Sequence, residues 1–313
     1  MKGLELSKAF YLAHGAPMLH EQFADTEHLI AVGLVGSGSE CLGYDDELSL
    51  DHDFEPGFCL FLPDESVIDS RTAFRLERAY AKLPKEFGGF RRATCPPVGG
   101  NRHGVLRIED FIRDRTGTPD GILTLPTWLS LPEQALLEAT GGEVFRDELG
   151  LFTEIRRRLS YFPEDVRRKK LAGHLLLMGQ SGSYNYCRCI ARGEYEAAQM
   201  ALYEFVKSAL ATAFLLNKRY LPYYKWSFRA LLSLPTLSEL YESLSFLLLG
   251  GADADTFEKK KKTIEQVLFL LCLHLKEQGL SDFEGCEAEG HAHAVNDGIS
   301  DGTLRNLHIL YAV

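Results

Sequence analysis

Apolar residues along this chain change their spacing near residue 125, and that change constrains the fold more than any other feature. Before it, short apolar runs such as 29–32 and 58–62 are separated by glycine, proline and acidic stretches, which is typical of strands and turns. After it, apolar residues recur at intervals of three and four over long segments, as in helices that bury one face. The pattern predicts an α+β chain, with a small mixed-sheet α/β domain over residues 1–125 and an all-α helical bundle over 126–313.

The spacing also predicts individual elements. Three strands are expected in the first part, at 28–35, 53–62 and 103–109. Asp64 is expected to cap a helix that runs to about Leu83. In the second part, helices are predicted at 132–139, 151–159, 164–178, 194–216, 223–234, 237–249 and 255–278, with a break at Gly141 and Gly142.

A small-residue turn and a pair of aspartates lie between the first two predicted strands. The turn consists of Gly36, Ser37, Gly38 and Ser39. Alternation along an extended segment points the carboxylates of Asp51 and Asp53 the same way, which is unfavourable unless a cation lies between them. Hard oxygen ligands suit Mg²⁺, and a glycine-rich turn lets backbone N–H groups approach a phosphate. The stretch therefore predicts a site for nucleotide transfer; the alternative is an acidic surface turn whose charges are solvated.

This arrangement resembles the nucleotidyltransferase superfamily that includes DNA polymerase beta. That pattern has an apolar residue, Gly-Ser, a gap of about ten residues and then Asp-x-Asp. Here Gly38-Ser39 precedes Asp51-His52-Asp53, and the histidine stands where the superfamily usually has an apolar residue. Phrases in the helical half look like a family of bacterial nucleotidyltransferase-like proteins: GEVFRDELG (142–150), LSYFPEDV (159–166), EFVKSALATAFLLNKRYLPYYKW (204–226) and LRNLHIL (304–310).

The resemblance implies a magnesium-dependent enzyme that moves a nucleoside monophosphate from a nucleoside triphosphate to a hydroxyl of a small molecule. Asp51 and Asp53 would hold one or two Mg²⁺ ions, residues 36–39 would bind the phosphates, and the helical domain would bind the acceptor. The superfamily commonly has a third carboxylate on a neighbouring strand, for which Glu109 is the candidate. The centre of that strand holds Arg107 instead of an acid, and a place in the first turn of a helix would explain Glu109 equally well.

Further candidates lie in or near the helical part. Arg188 could meet the triphosphate, and Lys225, beside Trp226, could form part of a ligand platform; surface charge and aromatic packing are the alternatives. Glu143 and Asp147 could supply a base for an acceptor hydroxyl, although a helix start explains such acids as well.

Composition limits the classes of partner. The net charge of −10 argues against a broad nucleic-acid surface. No apolar run is long enough to span a membrane, and the seven scattered cysteines fit a reducing compartment. We therefore expect a cytoplasmic protein whose partners are a nucleoside triphosphate and a small acceptor; the oligomeric state stays open.

Two other functions fit the sequence. The first is a degenerate nucleotide-binding or regulatory protein, which Arg107 in the third predicted strand favours. The second is an interaction protein that resembles paired nucleotidyltransferase and HEPN toxin–antitoxin modules. The HEPN pattern needs an arginine followed by a histidine, and the nearest pairs here are Arg168 with His174 and Arg305 with His308.

Overall fold

A computed structural model describes residues 1–47, 49, 55–92, 103–251 and 253–313. The chain forms two compact units, the first made of 1–123 with 131–160 and the second of 124–130 with 161–313. Residues 131–160 come after the predicted boundary near residue 125, yet they belong to the unit that contains the sheet. The α+β class predicted from the sequence is confirmed.

The first unit is built on a four-stranded mixed sheet. Its strands are β1 (Ala31–Leu34), β2 (Cys59–Leu62), β5 (Gly104–Arg107) and β6 (Glu143–Arg146), in the order β5-β2-β1-β6, while β3 (Glu86–Phe87) and β4 (Phe90–Arg91) form a separate hairpin. β1 is antiparallel to both β2 and β6, and β2 is parallel to β5. Consequently β1 ends where the other three strands of the sheet begin. We call this the turn end of the sheet and the opposite one the far end.

Helices cover both faces of this sheet. They are α1 (Gly3–Phe10), α2 (Ala16–Phe23), α3 (Ser39–Leu42), α4 (Ser70–Ala81), α5 (Ile108–Thr116), α7 (Glu133–Thr140) and α8 (Leu151–Arg158), while α6 (Leu125–Ser130) belongs to the second unit. Leu60 and Leu62 pack into a core with side chains of α1, α2 and α4. On the other face, the ring of Phe61 lies 5.1 Å from Phe111 and 4.1 Å from Phe152. Burial on both faces explains why β2 is a continuous apolar run.

The helix predicted from Asp64 begins later than expected. Asp69 is the residue that caps α4, because its carboxylate accepts a hydrogen bond from Thr72 N at 2.8 Å. Asp64 instead accepts from Ser66 N at 2.9 Å in the preceding turn. Ile68 lies between the two aspartates and is buried in the core, which accounts for the turn that delays the helix.

The structure differs from the sequence predictions at two places around the sheet. The strand expected over 103–109 ends at Arg107, and α5 begins at Ile108. The buried positions Ile108, Phe111 and Ile112 are three and four residues apart, which is the spacing of a helix face. The break at Gly141 and Gly142 leads directly into β6, a strand that the sequence analysis did not predict.

Every regular element described in the second unit is helical. Besides α6, the helices are α9 (Glu164–Met178), α10 (Cys187–Arg192), α11 (Tyr195–Leu216), α12 (Tyr224–Leu231), α13 (Leu240–Leu249), α14 (Ala254–Glu277), α15 (Ala288–Asp297) and α16 (Gly302–Asn306). A π-helical stretch, Gly179–Tyr186, joins α9 to α10. α9 packs against both α11 and α15. Across the residues that the structure describes, no helix combines the length and the apolar character needed to cross a membrane.

Candidate functional site

The glycine-serine turn lies at the turn end of the sheet, directly after β1. Gly36 and Gly38 have φ angles of +130° and +123°, a region that residues with a β-carbon rarely adopt. Gly36 is buried, Ser37 is exposed and Ser39 begins α3. The predicted phosphate-binding residues 36–39 therefore form one compact turn whose backbone conformation requires glycine.

Ser39 connects this turn to the segment that approaches the aspartate pair. Its hydroxyl donates to Ser49 Oγ at 3.3 Å. Ser49 Oγ in turn donates to Asp46 Oδ1 at 3.3 Å and accepts from Asp46 N at 3.1 Å. Ser49 is two residues before Asp51 in the sequence.

The aspartates themselves, Asp51 and Asp53, lie outside the described residues. The chain resumes at Glu55, whose carboxylate oxygen lies 3.1 Å from Nδ1 of His103. Both partners are largely buried, and His103 directly precedes β5 at the turn end. Described groups on both sides of the aspartate pair are thus held at the turn end.

Glu109, the candidate third carboxylate, lies elsewhere. Arg107 pairs with Leu62 at the far end of the parallel strands, and Glu109 follows in the first turn of α5. Its carboxylate is 3.5 Å from Arg113 Nη2 on the same helix. The structure therefore does not bring Glu109 to the turn at residues 36–39; it has the helix-start position that the sequence left as the alternative.

Arg115 is at the turn end and was missed by the sequence analysis. Arg115 is seven residues after Ile108, and seven residues of helix advance about 10.5 Å, so the helix that starts at the far end brings Arg115 back to the turn. A β-carbon on Gly36 would lie 3.6 Å from Arg115 Nη2. The periodicity of Ile108, Phe111 and Ile112 was the signal that could have predicted this helix, but nothing in it pointed to the turn.

The guanidinium of Arg115 is held by its own helix and by α7. Its Cζ lies 3.8 Å from the centre of the Phe111 ring, and Nη1 donates to Phe111 O at 3.0 Å. Nε is 4.0 Å from Glu138 Oε2, too far for a hydrogen bond, and it is buried without a hydrogen-bond partner among the described residues. Burial lowers the pKa of Arg115, an effect that the Glu138 carboxylate opposes. An arginine stays charged under such conditions.

Glu143 and Asp147, the two acids predicted as possible bases for an acceptor hydroxyl, have different surroundings. Glu143 begins β6 at the turn end, and its carboxylate is 2.5 Å from Lys8 Nζ. Asp147 accepts a hydrogen bond from Thr153 N at 2.8 Å, at the start of α8. Asp147 therefore stabilises a helix start, while Glu143 remains near the candidate site.

Arg188 and Lys225 belong to the second unit. Arg188 donates to the hydroxyl of Tyr184 at 2.7 Å and lies over that ring. Lys225 Nζ lies 4.2 Å from the centre of the Trp226 ring. Both cations are exposed, and each contacts an aromatic ring. Their assignment to a nucleotide stays a prediction.

Metal ligands would be expected as a cluster of His, Cys, Asp or Glu side chains. The described side chains contain no group of three or more His, Cys, Asp and Glu residues arranged to hold a metal ion. The predicted magnesium ligands Asp51 and Asp53 are not among these side chains. The Mg²⁺ site therefore depends on the sequence pattern.

Comparison with known proteins gave one finding. A family model for a domain of unknown function, DUF4037, matches residues 128–227, less than half of the chain. The matched segment includes β6, α8 and the helices that carry Arg188 and Lys225. Neither the curated proteins nor the solved structures gave a match.

Proposed function

We propose that the chain is a magnesium-dependent nucleotidyltransferase that moves a nucleoside monophosphate from a nucleoside triphosphate to a hydroxyl of a small molecule. The turn at residues 36–39 would bind the phosphates, and Asp51 and Asp53 would hold one or two Mg²⁺ ions. Arg188 and Lys225 are proposed as further ligand-binding residues from the sequence alone. The cysteine pattern supports a cytoplasmic location as part of the same proposal.

One observation carries this proposal, namely the hydrogen bond between Ser39 and Ser49 at 3.3 Å. Asp51 follows Ser49 by two residues. The hydrogen bond therefore joins the glycine-serine turn to the segment that precedes the aspartates in sequence, and the spacing of the motif supports a common site.

In the proposed reaction an acceptor oxygen attacks the α-phosphorus of the triphosphate. The bond from the α-phosphorus to the oxygen that bridges to the β-phosphorus breaks, and pyrophosphate leaves. Glu55, His103 and Glu143 are at the turn end and can accept the hydroxyl proton. Bound Mg²⁺ would stabilise negative charge on the attacking and leaving oxygens.

A thermal-shift series tests the donor site. Wild-type protein is compared with Asp53→Asn, and with Asp25→Asn as a matched control in an exposed turn of the same unit, using ATP, GTP, CTP and UTP with and without Mg²⁺. A ligand at 100 times its dissociation constant stabilises by about 2.7 kcal/mol. We expect a magnesium-dependent shift with at least one triphosphate in wild type and Asp25→Asn only. Equal shifts in all three proteins, or none in any, would contradict the proposal.

A second function is favoured by the position of Glu109. If the site has no third carboxylate, a nucleotide-binding protein without turnover is the natural result. Pyrophosphate release measured with a pool of hydroxylated acceptors separates the two functions. Saturable, Asp53-dependent nucleotide binding without pyrophosphate release would favour the regulatory protein, whereas release would establish the transferase.

A further inference from the structure

We propose that Arg115 and the turn at residues 36–39 form a polyphosphate-binding site, in which Arg115 takes the phosphates that are not transferred. That these phosphates belong to a nucleotide rests on the proposed function. The anion site itself rests on the described residues alone, so inorganic tripolyphosphate can probe it.

The guanidinium of Arg115 lies close to the turn. Arg115 Nη2 lies beside Gly36, at 3.6 Å from where a β-carbon would be. Gly36 has no side chain to separate this nitrogen from the turn, and its φ of +130° excludes most other residues. A guanidinium nitrogen and a glycine-rich turn are therefore close together, and these are two kinds of group that commonly bind phosphate oxygens.

The orientation of the Arg115 side chain is already fixed. The Phe111 ring and the Phe111 carbonyl hold the guanidinium in place, at 3.8 Å from Cζ and 3.0 Å from Nη1. A side chain that is already fixed loses little conformational entropy when a ligand binds. Arginine also offers several donors in one plane, so it can bind two phosphate oxygens at once.

Arg115 also has a hydrogen-bond donor that is not satisfied. The Nε atom of Arg115 is buried and has no hydrogen-bond partner among the described residues. Glu138, the carboxylate that pairs with it, is 4.0 Å away. A partly buried cation that is poorly paired is costly, and an anion at the turn would lower that cost by opposing its charge.

Arg113 provides a matched control for Arg115. It is on the same helix, two residues earlier, and its side chain is 45% exposed. It pairs with Glu109 and Asp110, in the part of α5 that begins at the far end. Removing either arginine changes the net charge equally, but only one of them lies beside the turn.

The test is calorimetric titration with tripolyphosphate, without Mg²⁺, of wild type, Arg115→Met, Arg115→Lys and Arg113→Met. We expect wild type and Arg113→Met to bind alike, Arg115→Met to bind at least about tenfold more weakly, and Arg115→Lys to lie between them. Circular dichroism establishes that each variant is folded. Arg115→Lys keeps the charge, so it serves if Arg115→Met does not fold.

The outcomes separate this inference from the proposed function. No tripolyphosphate binding to wild type, or equal binding by the Arg115 and Arg113 variants, overturns the anion site. A magnesium-dependent triphosphate shift that is lost in Asp53→Asn but kept in Arg115→Met supports the transferase and overturns the role of Arg115. Arg115-dependent tripolyphosphate binding without any triphosphate response supports the anion site and contradicts the transferase.

Discussion

The imidazole of His103 occupies the space that a side chain on Gly57 would need. A β-carbon on Gly57 would lie 2.6 Å from Cγ of His103, well inside van der Waals contact. The same imidazole pairs with Glu55. Gly57 is two residues before β2, so this close contact lies at the entry to that strand.

We expect Gly57→Ala to lower the free energy of unfolding by about 1–3 kcal/mol, the usual cost of overpacking. Urea denaturation measures it, with Gly302→Ala as control because the nearest atom to its added carbon is 4.0 Å away. The cost should fall when Gly57→Ala is combined with His103→Ala, since the clashing ring is gone. An equal cost in both backgrounds would show that His103 is not the cause.

The sequence sufficed for the fold class because periodicity is a local property. The run at 59–62 and the helical spacing of 195–216 each reflect what one element buries, so the α+β division could be predicted. β6 could not, because four residues after a glycine pair give too short a pattern. Its place beside β1 depends on a partner more than a hundred residues away.

The candidate site was predictable only where its residues are close in sequence. The glycines at 36 and 38 predicted a turn, and the structure has a turn there. Glu109 was expected on the third strand, but β5 runs away from the turn and already reaches the far end at Arg107, and Glu109 follows in the first turn of α5. Arg115 reaches Gly36 across seventy-odd residues of sequence, a contact that spacing cannot show.

Lys169 holds the C-terminal segment against α9. The amine is fully buried and donates to Asn296 Oδ1 at 2.9 Å, Arg305 O at 3.3 Å and Leu307 O at 2.6 Å. We expect Lys169→Met to remove the donor to Asn296 Oδ1 and Leu307 O, while Arg305 O keeps its hydrogen bond from Asn296 Nδ2 at 3.2 Å, and to destabilise the segment by about 1–3 kcal/mol. Hydrogen exchange of residues 302–312 should become faster.

Lys259→Met is the control for Lys169→Met, because it removes the same charge from an exposed position on α14. It should leave exchange in the C-terminal segment unchanged. Equal protection in wild type and Lys169→Met would show that the amine is dispensable for holding this segment.

The buried imidazole of His174 should make the folded protein less stable in acid. Burial, together with the positive charges of Lys170 and Lys207, lowers its pKa from 6.5 to about 3. Nδ1 has no hydrogen-bond partner among the described residues. Between these pKa values the unfolded chain binds a proton that the folded chain does not, so stability falls as the pH falls, by up to about 1.4 kcal/mol per pH unit.

Urea denaturation from pH 7 to pH 4.5 measures this effect. His174→Gln should flatten the pH dependence, and His293→Gln, which changes an exposed histidine, should leave it as in wild type. If both variants keep the wild-type slope, other groups cause the acid sensitivity.

Glu138 should compete with a bound phosphate for Arg115. Its carboxylate lies 4.0 Å from Arg115 Nε and accepts a hydrogen bond from Gln134 Nε2 at 3.0 Å. Glu138→Gln keeps an oxygen that can accept from Gln134 but removes the negative charge, so tripolyphosphate should bind a few times more tightly. Titration in the same buffer measures the change, and Arg115→Met should abolish the gain. Weaker binding by Glu138→Gln would mean that the carboxylate orients Arg115 for the anion instead of competing with it.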